Sequence, residues 1–279
     1  MRPAAPAFHT LAALADGNVA PAASALHNLA LLTGNVGRPG GGVIAFRGHA
    51  NDQGALDMGC HPALLPGFQS VQDAEARQAF DAAWLPRWQG GAQGITALPS
   101  DPGLSLPALI DAIADGRVKA LYIAADSHPS SHGYDERLLD VLPKLEFLVV
   151  EDTYPSRLTE LADVVLPAAM FMEKDGSFTN ADRTIQRVRY AVAPPGDAQP
   201  GWFYLQEIGD RLGYAFGYRH PAHILEEIAR LTPVYRGVSL PRLERGPLQW
   251  PVRSFAAEPS VYLRIGDDLV PEAIRFVAD

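Results

Sequence analysis

Residues 118–169 read VKALYIAADSHPSSHGYDERLLDVLPKLEFLVVEDTYPSRLTELADVVLPAA. Three short, nearly all-apolar runs, VKALYIA, EFLVV and DVVLPAA, alternate there with the helical patterns YDERLLDVL and SRLTELA. Strands that are apolar on both faces and separated by helices predict a parallel sheet covered on both sides, with right-handed crossovers. Upstream, LSLPALIDAIADG predicts a helix capped by Ser105 and closed by Gly116. Downstream, GWFYLQEIGDRLG and PAHILEEIARL predict two amphipathic helices.

The fold class is therefore α/β, a Rossmann-like parallel sheet with helices on both faces, placed in residues 101–235. Residues 1–100 add a helix over residues 22–33, ending at Gly34, and a glycine-rich loop region. Residues 236–279 are expected to form an irregular, Pro-rich C-terminal extension. The glycine-rich stretch GNVGRPGGGVIAFRGHANDQGALDMG also holds Val43, Ile44, Phe46, Leu56 and Met58. A flexible linker would lack those apolar residues, so the stretch is read as a structured loop facing a ligand.

Composition removes several function classes. The 279 residues carry 23 Lys+Arg against 32 Asp+Glu, a net charge of −9. An acidic chain with scattered basic residues is a poor nucleic-acid binder. Its one cysteine, Cys60, excludes an internal disulfide framework and any cysteine-ligated cluster held by this chain alone. The apolar N-terminal stretch is interrupted by Asp16, Pro21 and His27, short of the roughly 18 apolar residues of a membrane span. With no clear signal peptide, a cytoplasmic location is expected.

In open α/β sheets ligands bind at the carboxyl ends of the strands. Asp126 follows the first predicted strand, Glu151, Asp152 and Ser156 the second, and Lys174 the third. An ionised Asp152 could accept from the N1–H and the exocyclic amine of guanine together, a bidentate contact that specifies that base. It could equally be a turn residue beside a capping Ser156. Neither GxGxxG after the first strand nor GxxxxGK[ST] occurs, which argues against ordinary dinucleotide or ATP binding.

The ordered blocks NLALLTGNVGRPGGGV, RGHANDQGALDMG, LPGF, KALYI, LEFLVVEDTYPSRLTELADVVLPAA, EKDGSFTNADRTIQRVR, PPG…GW and IARLTPVYRGVS carry a resemblance. Over roughly residues 24–255 the chain resembles the molybdopterin oxidoreductases, specifically the middle of formate dehydrogenase catalytic subunits. The resemblance implies a molybdenum or tungsten ion held by two molybdopterin guanine dinucleotides, with this α/β layer on one guanosine end. It implies Asp152 on the guanine, Glu151, Ser156, Asp126 and Lys174 around the same cofactor, His49 facing the pterin, and Gly48, Asn51 and Gln53 as further cofactor-binding residues. Arg47 matches the arginine beside the substrate anion, where a permanently charged planar fork suits formate.

Two positions depart from the pattern: ADSHP replaces a loop that in relatives more often reads Gly-Glu-Asn-Pro, and Gly201 stands where an Asp is common before the tryptophan. The resemblance assigns no metal ligand to this chain; Cys60-His61 lies in the wrong block. The [4Fe–4S] cluster and metal ligand are expected on a partner chain or missing region. The implied activity is formate oxidation to CO2 together with other subunits. The alternatives are a non-catalytic scaffold or cofactor-binding subunit, and another superfamily activity such as nitrate reduction.

Overall fold

The computed structural model describes residues 6–10, 19–36, 42–46, 49–88, 96–125 and 135–256. Along the chain run β1 (Pro6–Thr10), α1 (Val19–Leu32), β2 (Gly42–Phe46), α2 (Asp52–Asp57), β3 (Leu64–Leu65), β4 (Gln69–Ser70) and α3 (Ala74–Trp84). The sheet layer follows as α4 (Leu106–Ala114), β5 (Ala120–Ala124), α5 (Glu136–Val141), β6 (Phe147–Asp152), α6 (Arg157–Leu161) and β7 (Val164–Pro167). Last come β8 (Gly176–Thr179), β9 (Thr184–Val188), α7 (Gly201–Arg211), α8 (Pro221–Leu231), α9 (Leu240–Arg245) and β10 (Leu248–Gln249).

The strands β5, β6 and β7 form a parallel sheet in that order, with Tyr122 opposite Val149 and Val150 opposite Val165. Sequential order with right-handed crossovers carries the connecting helices to one face. Ile110 and Ile113 of α4, Leu138 and Leu139 of α5 and Leu158 of α6 accordingly share one core with Leu148 and Val150. Val150 and Leu158 are fully buried, a contribution of about 1.5–3 kcal/mol each. Local signals agree with the packing: Ser156 and Thr159 close a reciprocal capping box on α6. Gly116, at φ +73°, ends α4 as the Arg117 N–H returns to the Ala112 carbonyl.

The other sheet face meets α7. Between them lies an apolar cavity of about 670 Å³ lined by Tyr122, Phe147, Val149, Phe203, Ile208 and Arg211, among others. The layer thus has helices on both sides, closely packed on the α4–α6 side and spaced on the α7 side.

Residues 236–256 contain the short helix α9 and strand β10, and they pack into the body of the fold. Val238, Leu240, Leu243, Leu248, Trp250 and Val252 form one core with Ile185, Leu225 and Tyr235. β10 also pairs with β9, extending the antiparallel β8–β9 hairpin to three strands. That hairpin turns at Asn180, whose Oδ1 accepts from the N–H of Asp182 (3.2 Å) and Thr184 (3.0 Å). Arg183, at φ +64°, stacks its guanidinium 4.4 Å from the Trp250 ring centroid.

Candidate functional site

β6 ends in Glu151 and Asp152, two adjacent buried carboxylates at 7% and 4% exposure. Alternation along the strand aims them at opposite sheet faces. Asp152 accepts from the Thr153 N–H (2.8 Å) on Oδ1 and from the Ser156 hydroxyl (3.0 Å) on Oδ2. Ser156 is itself fixed, its N–H donating to Thr159 Oγ1 at 2.9 Å. Ser156 therefore caps α6 and also holds the Asp152 carboxylate in place.

On the α7 side, Tyr122 donates its hydroxyl to Glu151 Oε2 at 2.6 Å. Burial first, then the hydrogen bond to Glu151, pushes the Tyr122 hydroxyl far above its ordinary pKa, so it remains a donor at neutral pH. Glu151 Oε1 makes no hydrogen bond among the described residues, and it abuts Gly201 at the first turn of α7. The next residue, Trp202, holds its indole N–H buried without an acceptor among the described residues. One sheet tip thus combines a held carboxylate, an open acceptor and an unused donor, a set suited to a heterocycle or nucleoside that both donates and accepts.

Register carries the next predicted residue close by. Asp152 pairs with Pro167, and the Ala168 N–H donates to the Asp152 carbonyl at 2.9 Å, so the segment bearing Lys174 leaves from beside the Asp152 tip. Lys174 is half-buried and makes no ion pair or hydrogen bond among the described residues. Its neighbour Asp175 is engaged by Arg187 (2.9 Å), the Tyr190 N–H (3.1 Å) and His220 Nε2 (3.6 Å).

The glycine-rich block attaches to β8. Asn51 precedes α2 and accepts the Thr179 N–H on Oδ1 at 2.9 Å. Gln53 is buried and donates to Asp57 Oδ1 at 2.7 Å. Asp57, fully buried, accepts the Tyr235 hydroxyl on Oδ2 at 2.5 Å, and that hydroxyl also lies 2.9 Å from Thr179 Oγ1. These hydrogen bonds of Asn51 and Gln53 run to protein groups, and they tie the block to the hairpin that follows Lys174. His49 is exposed beside Asp52. Arg47, Gly48 and Asp126 lie outside the described residues.

Sequence reasoning missed Tyr122, Trp202 and the Asp57–Tyr235–Thr179 link. The alternation in VKALYIA places Tyr122 on the Glu151 face of the sheet, a signal that was available. Nothing local couples Asp57 to Tyr235. Among the described residues no group of three or more His, Cys, Asp or Glu could hold a metal ion, and no helix is long and apolar enough to cross a membrane.

Comparison with known proteins adds ancestry to this geometry. A molybdopterin oxidoreductase family model matches residues 10–211. YjgC of Bacillus subtilis (strain 168), provisionally named an oxidoreductase, is 40% identical over 232 residues, 83% of this chain and 22% of that protein. YrhE of the same strain, provisionally named a formate dehydrogenase, is 40% identical over 79% of this chain and 22% of its own length. A provisionally named formate dehydrogenase of Staphylococcus aureus (strain USA300) is 40% identical over 86% of this chain and 24% of its own. The chain therefore spans under a quarter of the length of these relatives. Acetylene hydratase from Pelobacter acetylenicus aligns with a TM-score of 0.42 at 20% identity, over 55% of this chain and 21% of that one, a likeness too low to carry an argument.

Proposed function

Because this chain belongs to the molybdopterin oxidoreductase family, we propose that it is the middle portion of a formate dehydrogenase-like catalytic assembly and holds the guanosine end of a molybdopterin guanine dinucleotide. The observation that carries this reading is the Asp152 carboxylate at the β6 tip, buried and held by Ser156 and the Thr153 N–H. A preorganised carboxylate matches the paired N–H donors of guanine.

The donor set around it fits the same group. Glu151 Oε1 is open, the Trp202 N–H lacks an acceptor, and the Lys174 ammonium is available for a phosphate or a pterin heteroatom. His49, Asn51, Gln53 and the flanking Arg47 and Gly48 belong to the block assigned to the pterin and substrate, and Asp126 to the loop at the β5 tip. In this reading Arg47 pairs with the formate carboxylate and orients it. Formate then gives up two electrons and a proton as CO2 forms. When bound, the molybdenum or tungsten centre with its two dinucleotides supplies the electron acceptor, and a [4Fe–4S] cluster on another chain or segment supplies the exit path.

Two measurements test the proposal. Co-expression with the products of adjacent reading frames is expected to yield a complex that contains pterin and guanine nucleotide and oxidises formate, with Arg47→Lys lowering kcat/KM by about 100-fold, the scale of one lost charge contact in the transition state. The chain purified alone is expected to be inactive toward formate. Turnover by the isolated chain refutes the assembly; a complex lacking pterin and guanine nucleotide refutes the cofactor role and favours a scaffold.

A further inference from the structure

Glu151 and Gly201 occupy one corner. A Cβ at position 201 would overlap Glu151 Oε1 and come within 3.0 Å of its Cδ and Oε2. The backbone at Gly201 is ordinary helix; a side chain there would have to displace the Glu151 carboxylate from the position in which the Tyr122 hydroxyl holds it. α7, eleven residues long, has no acidic residue in its first turn and no side-chain cap from Pro200, so Glu151 brings the negative charge that a helix N-terminus favours. Its position is fixed by Tyr122 through Oε2, while Oε1 keeps its lone pairs open at 7% residue exposure. A carboxylate oxygen held this way is an acceptor placed to take a ligand N–H or O–H.

We propose that Glu151 is a specificity-determining residue that accepts an N–H or O–H of the bound guanosine through Oε1, and that Gly201 is the vacancy it requires. The inference rests on the nucleotide-binding reading of the Asp152 tip. This corner has room for one carboxylate, and the chain supplies it from strand β6. That accounts for the departure at Gly201: an aspartate there would collide with Glu151 and add a second negative charge beside it.

The test titrates the full 279-residue chain with guanosine diphosphate, inosine diphosphate and 2′-deoxyguanosine diphosphate by calorimetry, with thermal melting to verify the fold of each variant. Glu151→Ala and Gly201→Asp are each expected to weaken guanosine diphosphate binding at least tenfold, while Glu151→Ala/Gly201→Asp, which returns a single carboxylate from α7, recovers most of it. The donor is the exocyclic amine if Glu151→Ala removes the preference over the inosine nucleotide, and the ribose 2′-hydroxyl if it removes the preference over the deoxynucleotide. Unchanged affinity in Glu151→Ala while Asp152→Asn abolishes binding overturns this inference and leaves the Asp152 reading standing. Indifference of the wild-type chain to all three nucleotides overturns both.

Discussion

Replacing Tyr235 by Phe probes the join between the glycine-rich block and the β8–β9 hairpin. Tyr235 is 3% exposed, and its hydroxyl donates to Oδ2 of the fully buried Asp57. The variant keeps the ring, and with it the packing against Val234, Val238 and Trp250. It removes the 2.5 Å contact to Asp57 and the 2.9 Å contact to Thr179 Oγ1. A hydrogen bond to a carboxylate contributes about 1.5–3 kcal/mol. Gln53 still serves Asp57 Oδ1, so the expected loss is that of one such bond, about 1.5–3 kcal/mol. With a urea slope of about 2–3 kcal/mol/M, the unfolding midpoint should fall by roughly 1 M. The fluorescence of buried Trp250 reports this core, and Tyr190→Phe, at an exposed ring, serves as the control that should not shift. The Thr179 amide, which donates to Asn51, should exchange with deuterium faster in Tyr235→Phe, because Thr179 loses its link to the Asp57 cluster. A midpoint within about 0.2 M of wild type at unchanged slope would falsify the claim that this hydroxyl holds the two blocks together.

The same residue sets an alkaline limit. Burial first, then Asp57, raises the Tyr235 pKa far above that of an unfolded tyrosine near pH 10, so its contribution is complete below pH 10 and declines above it, by up to about 1.4 kcal/mol per pH unit. Melting between pH 9 and pH 11 should show a shallower decline in Tyr235→Phe, and parallel curves would rule the mechanism out. At the acid end, burial works against the ionised Asp175, but the Tyr190 N–H and Arg187 outweigh it and hold its pKa below the ordinary carboxylate value. Its contribution is therefore present above about pH 4 and lost as pH falls through the folded pKa; Asp175→Asn should flatten the acid limb of the melting curve, and an unaltered limb counts against it. Leu158→Ala, at a fully buried position on α6, should cost about 2–5 kcal/mol in urea unfolding, and a cost below 1 kcal/mol would mean that α6 does not close the sheet core.

Much of the layer was legible because its signals are local. The apolar runs at Ala120–Ala124, Phe147–Asp152 and Val164–Pro167 became strands, and the helix stops at Gly34 and Gly116 fell at glycines with positive φ. The β8–β9 hairpin escaped notice because its turn, NADR, uses Asn180 and an Arg at positive φ where a glycine would have announced it. The order of residues 237–252 comes from burial against β9 and α8, which no local periodicity encodes.

By itself the amino-acid sequence determined the α/β class, the strand tips at which a ligand can sit, and Asp152 with Ser156 as the residues to examine there. All of these follow from periodicity and from chemistry within a few residues. Only the tertiary structure decided what those residues do to one another. Asp152 is held by Ser156 because capping α6 points that hydroxyl back at the strand tip. Glu151 excludes a side chain from Gly201, fifty positions along the chain, because α7 packs across the strand end. Asp57 finds Tyr235, separated from it by 178 residues, because α2 lies against β8. A fully buried carboxylate needs a donor from somewhere, and which residue supplies it is decided by packing in three dimensions.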